Sequence, residues 1–204
     1  TLREEIANAM SHGVGFIAAL VGLPVLVIAA TERGDAVDIV AASVFAGSLV
    51  LLYLVSTVYH LLPQNRAKRL FQILDHSAVF ILIAGSYTPF TVGVIRGAWG
   101  WSLFGVVWTI AVVGIVMKLV VGVRYPKVSI ALYLGMGWLA IIAVKPLLEA
   151  LPPAGLLLLA LGGLSYTAGV PFFLRDHKEY RHFVWHLFVL GGSLCHFIAV
   201  LWYA

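Results

Sequence analysis

The sequence predicts an all-α integral membrane protein, a single bundle of seven membrane-spanning helices over residues 1–204. Of the 204 residues, 62% are hydrophobic and 11% are charged, and the mean hydropathy is +1.02. So few charged side chains cannot cover the surface of a water-soluble domain. The charged positions separate seven apolar stretches, each close to the ~20 residues that a helix needs to cross a bilayer. The connections between them are too short to fold separately.

The seven spans follow in order from the positions of the charged residues. The uncharged stretches cover residues 6–31, 39–65, 76–95, 97–117, 128–144, 150–174 and 182–204. The helices predicted from them cover approximately residues 10–30, 39–63, 71–94, 98–121, 128–146, 154–174 and 182–203. Pro24, Pro89 and Pro171 lie inside these helices or near their ends, where we expect them to cause kinks.

The basic residues predict the orientation of the bundle. Ten of the 13 Lys and Arg residues fall on the side of the membrane that carries the N-terminus, and the other three are Arg33, Arg96 and Lys145. Because basic residues accumulate on the cytoplasmic side, we expect a cytoplasmic N-terminus and an external C-terminus.

The basic residues form no continuous stripe, so nucleic acid is excluded as a partner. The single cysteine, Cys195, excludes an intramolecular disulfide.

Four ionisable residues from three predicted spans lie at one depth, near the predicted cytoplasmic surface. They are His60 at the end of the second span, Asp75 at the start of the third, and His182 and His186 at the start of the seventh. Ionisable groups inside a membrane are costly and usually functional. This convergence therefore predicts a site.

The three histidines at this depth predict a zinc ion. His182 and His186 are four residues apart, so both imidazoles lie on one helix face. With His60 they supply three nitrogen ligands, which leaves a fourth zinc position open for water, as in catalytic sites. Asp75 could instead be the fourth ligand and close a structural site. Both alternatives remain open at this point.

Further polar residues accompany the predicted site. Ser56 shares a helix face with His60; it either hydrogen-bonds its own backbone, as serines in such helices usually do, or acts on a bound water. Glu5, Asn8 and His12 form one polar face of the first span. That face is either a solvated helix start or a group that orients the metal ligands.

Two other histidines are predicted to lie away from the metal. His196 is ten residues beyond His186, ~15 Å along the helix, which is too far to bind the same ion. His177 is flanked by charged residues and is expected to be a solvated loop residue.

The chain resembles the hemolysin III branch of the progestin and adipoQ receptor family. The motifs that carry the resemblance span nearly the whole chain and lie at residues 5–12, 56–60, 74–77, 84–90 and 182–186, followed by His196 and Phe197. The resemblance implies seven helices and a zinc ion near the cytoplasmic side, bound by His60, His182 and His186. It also implies that Asp75 and Ser56 act on the zinc-bound water. His76, beside Asp75, follows the bacterial pattern and is a candidate for orienting the ligands.

The resemblance also implies candidate functions. Relatives in the wider superfamily resemble metal-dependent lipid amide hydrolases, so we expect a ceramidase-like enzyme acting on a membrane lipid amide or ester. The alternatives are a pore-forming cytolysin or channel, and a membrane sensor with a structural zinc. The resemblance to bacterial members implies a multi-pass protein of the cytoplasmic membrane. The sequence leaves the oligomeric state open.

Overall fold

The computed structural model describes residues 1–176 and 178–204, and the predicted loop residue His177 lies outside this range. The described residues form eight α-helices and two shorter helical segments. The α-helices are α1 Leu2–Arg33, α2 Ala36–Leu61, α3 Arg66–Thr88, α4 Gly97–Val121, α5 Pro126–Trp138, α6 Val144–Ala150, α7 Pro153–Phe173 and α8 Arg181–Tyr203. A π-helix, Pro89–Ile95, continues α3, and a 3-10 helix, Leu139–Ala143, joins α5 to α6.

Within the described residues, seven helical spans are long and apolar enough to cross a membrane. The first, second, fourth, sixth and seventh spans are α1, α2, α4, α7 and α8. The third is α3 with its π-helix, and the fifth runs from α5 to α6. This architecture confirms the predicted fold class of a multi-pass membrane protein, while the orientation of the termini stays a prediction. We call the end of the bundle where the chain begins the amino-terminal side.

Local sequence signals explain where the helices begin and end. Thr1 and Glu4 form a capping box at the start of α1, so this helix begins at Leu2, eight residues before the predicted position. The side chains of Asp35 and Asn65 accept hydrogen bonds from backbone N–H groups at the starts of α2 and α3. Pro126 and Pro153 occupy the first turn of α5 and α7, where no N–H is needed.

Two spans depart from regular α-helix. The π-helix of the third span begins at Pro89, whose ring removes a backbone donor from the helical ladder. In the fifth span, the helix is interrupted beside Tyr87 of α3, whose hydroxyl shares its single proton between the carbonyl oxygens of Met136 and Gly137 and accepts from the N–H of Ala140. These bonds satisfy backbone groups where α5 gives way to the 3-10 helix, so the break costs less inside the membrane.

The spans form a closed bundle in which α1 packs against both α2 and α8, and α2 packs against α3. Gly15 permits the close approach of α1, because an added Cβ would lie 2.8 Å from Leu190 of α8 and 2.9 Å from Tyr53 of α2. Small residues have this role at many membrane helix contacts. The approach brings the polar face of α1 against the two helices that carry His60, His182 and His186.

Candidate metal centre

Three histidine side chains meet at the amino-terminal side of the bundle. His60 comes from the last turn of α2, and His182 and His186 come from successive turns of α8. One ring nitrogen of each lies within 4.8 Å of those of the other two. The ring centroids are 4.7 Å apart for His182 and His186, and 5.1 Å from His60 to each of them. The structure therefore brings together three imidazoles that could hold a metal ion.

The imidazole of His60 is fixed by a carboxylate from α1. Its Nδ1 atom lies 2.6 Å from Oε2 of Glu5, and its side chain is only 4% exposed. An ionised carboxylate can only accept, so Nδ1 donates and Nε2 carries the free lone pair. Nε2 is buried and has no hydrogen-bond partner within the part of the chain that the structure describes. A histidine oriented in this way is prepared to bind a metal through Nε2.

Backbone and hydroxyl groups of α1 orient His186 in the same sense. Its Nδ1 lies 2.9 Å from Ser11 Oγ and 3.3 Å from the carbonyl oxygen of Asn8. Ser11 donates its own proton to that carbonyl, at 2.8 Å, and a carbonyl only accepts. Nδ1 of His186 is therefore the donor, and its Nε2 is left free. The Oδ1 atom of Asn8 is buried without a partner among the described residues.

His12 and Ser56 form a second polar pair beside the histidine cluster. The ring of His12 stacks on His186, with centroids 3.5 Å apart and planes 9° apart. The Nδ1 atom of His12 lies 2.7 Å from Ser56 Oγ, so the Ser56 hydroxyl forms a hydrogen bond with a side chain of another helix. Both residues are buried and border the cavity described below. The polar face of α1 is thus packed against the histidine cluster.

Asp75 and His76, at the start of the third span, border the same cavity from α3. Asp75 is buried, and its carboxylate lies outside the group of three mutually close imidazole nitrogens. The ring of His76 packs 5.9 Å from that of Phe173, and its carbonyl oxygen accepts from Tyr133 at 2.6 Å. The cavity region thus combines three imidazoles that could hold a metal ion with a buried carboxylate that is not one of that group.

A cavity of about 290 Å³ extends from the histidine cluster into the bundle, between the third, fifth, sixth and seventh spans. His12, Ser56, Asp75, His182 and His186 border it at the amino-terminal side, and most of the remaining wall is apolar. The apolar wall includes Leu82, Ile83, Leu134, Ile141, Leu147, Leu156 and Leu159. A cavity with one polar end suits a ligand that has an apolar chain and a polar group.

His196 also borders this cavity, but it does not belong to the group of three histidines. Its Nε2 lies 3.4 Å from the carbonyl oxygen of Leu159 on α7, and its ring meets Tyr166 edge-on at 5.5 Å. This location agrees with its predicted separation from the other histidines.

Two buried residues at the site were not identified from the sequence. Ser11 precedes His12 on the face of α1 that packs against α8, and its spacing of three residues from Asn8 was the signal that could have revealed it. Lys68 belongs to the basic segment 66–69, which sequence reasoning used only for topology. In the structure, its ammonium group is buried and lies 2.9 Å from Oε1 of Glu5.

Comparison with known proteins agrees with the motifs. A family model described as haemolysin-III related matches residues 1–197. Hemolysin-3 of Bacillus cereus is 46% identical over 202 residues, covering 99% of this chain and 92% of the relative. The Hemolysin-3 homolog of Bacillus subtilis (strain 168) is 45% identical over 203 residues, covering 100% and 95%.

A more distant human relative, the monocyte to macrophage differentiation factor, is 28% identical over 210 residues, covering 98% of this chain and 84% of the relative. Together with the bacterial matches, it confirms the resemblance predicted from the motifs.

Proposed function

Because the chain belongs to the haemolysin-III related family, we propose that it is a zinc-dependent hydrolase that cleaves a lipid amide or ester within the membrane. One observation carries the proposal. Three imidazoles have mutually close ring nitrogens, and two of them, His182 and His186, border the polar end of a mostly apolar cavity that is also lined by the separate carboxylate of Asp75.

The donor set fits zinc. Imidazole nitrogen is a common zinc ligand, and His60 and His186 each have Nδ1 engaged by a residue of α1, which leaves Nε2 free. In the described chain, the buried Nε2 atoms of His60 and His182 lack any other partner, as expected of atoms reserved for a ligand. When bound there, zinc would act as a Lewis acid toward a water molecule and a substrate carbonyl.

Asp75 is the proposed general acid and base. Asp75 is buried and borders the same cavity as His182 and His186, and its carboxylate lies outside the group of three imidazoles. In hydrolysis, a water oxygen adds to the carbonyl carbon and the bond to the amine or alcohol breaks. Asp75 would accept the proton that the water loses and return it to the departing nitrogen or oxygen, which balances the reaction.

Ser56 is proposed to stabilise the charge that develops on the carbonyl oxygen, or to hold the attacking water. The close contact between its Oγ and His12 Nδ1 supports this role. If His12 donates from Nδ1, the hydroxyl proton of Ser56 is free to point into the cavity. A donor aimed at a developing oxyanion is among the strongest contributions to hydrolysis.

The shape of the cavity supports a lipid as the substrate. Its volume of about 290 Å³ lies near the lower limit for ligand pockets, and its wall beyond the polar end is apolar. In a multi-pass membrane protein, an acyl chain can enter such a space sideways from the bilayer. The bacterial relatives support the cytoplasmic membrane as the location.

The names of two relatives, Hemolysin-3 and Hemolysin-3 homolog, make cytolysis the second candidate function. Cytolysis requires a path for water and ions through the membrane. The apolar wall of the cavity favours hydrolysis over permeation by a single bundle.

The decisive experiment compares Asp75→Asn with the wild-type chain in lipid vesicles. We expect Asp75→Asn to keep its zinc and to lose ~100-fold or more of the release of fatty acid from ceramide and ester substrates, because general acid–base catalysis contributes about that much. Asp38→Asn, at the opposite side of the bundle, is the matched control and should keep both its zinc and the wild-type turnover. Zinc content and turnover are measured on the same preparations.

Three results would contradict the proposal. Loss of zinc together with activity would make Asp75 a structural ligand, and unchanged turnover would remove Asp75 from the mechanism. Leakage of a trapped dye from vesicles without any substrate hydrolysis would favour cytolysis.

A further inference from the structure

Lys68, in the first turn of α3, is buried although its side chain carries a charge. Its side chain is only 6% exposed, whereas lysine is normally found at the protein surface. Its Nζ atom lies 2.9 Å from Glu5 Oε1 and 3.1 Å from the carbonyl oxygens of Tyr59 and Leu62. An ammonium group has three donors, so all three are used. The position of Lys68 is therefore closely defined.

The three acceptors come from two different elements. Tyr59 lies in the last turn of α2 and Leu62 follows its end, where carbonyl groups have no partner within the helix and carry partial negative charge. The ring of Tyr59 also lies beneath the ammonium group, 4.9 Å from Nζ to its centroid. Glu5 comes from α1. Lys68 thus connects α3 to the first two helices at the level of the histidine cluster.

Glu5 connects Lys68 to the histidine cluster. One carboxylate oxygen, Oε1, accepts from Lys68, and the other, Oε2, accepts from Nδ1 of His60 at 2.6 Å. Because the two oxygens belong to one rigid group, fixing the first fixes the direction of the second. Without the ammonium group, the carboxylate could turn toward water, since the Glu5 side chain is 31% exposed.

We propose that Lys68 is a positioning residue for the histidine site: it holds the Glu5 carboxylate against His60 and so determines how tightly the site binds zinc. This inference rests on the metal site of the proposed function, and it is independent of whether that site hydrolyses a lipid. Residues that orient metal ligands typically change metal affinity 10–100-fold. Because Lys68 acts through Glu5, its effect should lie at the lower end, at about 10-fold.

A double-mutant cycle separates positioning from a simple helix cap. Both roles predict that Lys68→Met lowers the thermal stability of the metal-free protein, because the α2 carbonyls lose their donor. Only positioning through Glu5 predicts that the effect of Lys68→Met on zinc affinity disappears once Glu5→Gln has been introduced. Coupling of this kind is what such a cycle measures.

The experiment uses the full chain in detergent, stripped with a chelator and titrated with Zn²⁺ against a competing fluorescent chelator. Lys68→Met should weaken zinc binding about 10-fold, and Lys68→Arg, which keeps the charge, should recover part of the loss. Lys145→Met is the matched control, because Lys145 is 85% exposed at the opposite side and should bind zinc as the wild type does. The absorption spectrum of bound Co²⁺ should change in Lys68→Met, since a reoriented His60 alters the ligand geometry.

Wild-type affinity in Lys68→Met, or an effect that adds fully to that of Glu5→Gln, would overturn the inference. If Lys68→Met does not fold, Lys68→Gln takes its place in the same cycle. Normal lipid hydrolysis together with unchanged zinc affinity would overturn only this inference. The predicted affinity change without any hydrolysis would support it and contradict only the proposed enzyme. Absence of zinc binding in the wild-type chain would overturn both.

Discussion

The two sides of the bundle use the same kinds of charged groups in different surroundings. Opposite the histidine cluster, Arg96 donates to the carboxylates of Asp35 and Asp38, each at 2.7 Å. The Arg96 side chain is 47% exposed and that of Asp35 is 52% exposed. At the amino-terminal side, the Glu5 carboxylate accepts hydrogen bonds from Lys68 and His60, whose side chains are 6% and 4% exposed. The distances are similar, and the difference lies in the partners of the carboxylates: Lys68 and His60 are buried, whereas Arg96 is about half exposed.

The difference in burial separates two uses of charge. An exposed ion pair contributes little to stability, because water competes for both partners and salt screens them. The Arg96 cluster therefore does little more than fasten the connection after the third span to the start of α2. A buried charge is costly unless every partner is supplied, as it is for Lys68. We interpret the buried cluster as an arrangement that orders the histidines, and the following predictions test this contrast.

The largest effect is expected from removing a histidine of the cluster. His182→Ala should lose most of its bound zinc, because two imidazoles hold the ion much less tightly than three. It should also lose the stabilisation that a bound ion provides, with a Tm lower by about 5–10 °C in the presence of zinc. Metal analysis and thermal unfolding of the purified chain measure both quantities.

His196→Ala is the matched control for this experiment. His196 lies on the same helix, α8, and borders the same cavity, but it is not one of the three mutually close histidines. The His196→Ala variant should retain its zinc. Full zinc occupancy in His182→Ala would show that the metal is bound elsewhere.

A smaller effect is expected from Ser11→Ala, because the ligand His186 remains and only its orientation is affected. Loss of the hydroxyl removes the 2.9 Å contact with Nδ1 and leaves the longer contact with the Asn8 carbonyl. Zinc affinity should fall about 10-fold. Ser48→Ala is a close control, since this buried serine also donates to the carbonyl three residues before it and lies away from the cluster. Equal zinc affinity in the two variants would argue against a role for Ser11.

The smallest effect is expected at the exposed pair. The hydrogen bond from Arg96, followed by that from the Val37 N–H, lowers the pKa of Asp35. The stabilisation from a carboxylate with a lowered pKa is fully present above the ordinary aspartate pKa of about 3.9, and it is lost as the pH falls from there through the lower folded-state pKa.

Asp35→Asn keeps a side-chain oxygen that can accept from the first N–H groups of α2, and it removes the charge. Its Tm should be lower than that of the wild type by no more than about 2 °C at pH 7, and the difference should vanish in acid and shrink in high salt. Thermal unfolding from pH 7 to pH 3 measures it. A difference that persists in acid would assign the effect to capping.

Much of the fold was predictable because hydropathy is a local property. Each span is long and apolar enough to be recognised in isolation, and the breaks fall at charged residues. The start of α1 was predicted at residue 10, eight residues too late, because hydropathy marks the apolar part of a helix and not its polar first turns, which hold Glu4 and Glu5. Their role is to cap the helix and to contact other helices, as the 2.8 Å contact between Glu4 Oε1 and the Tyr180 N–H on the approach to α8 illustrates.

The candidate site was predictable in part, for a related reason. The depth of His60, Asp75, His182 and His186 follows from their distance to the ends of their spans, so the sequence indicated that they lie at one level. The assignment of Lys68 to topology alone was incomplete, because a basic residue near a span end is expected for orientation whether or not it is buried.

The sequence by itself determined the number of spans, their order and the level of the histidines, because these depend on hydropathy and on the rise of a helix along the chain. Only the tertiary structure decided that Glu5 bridges His60 and Lys68, residues 55 and 63 positions away. It also decided that Ser11 contacts His186 across 175 positions. Such contacts depend on how far each helix is rotated about its axis and how closely α1 approaches at Gly15. Packing between sequence-distant helices fixes that rotation.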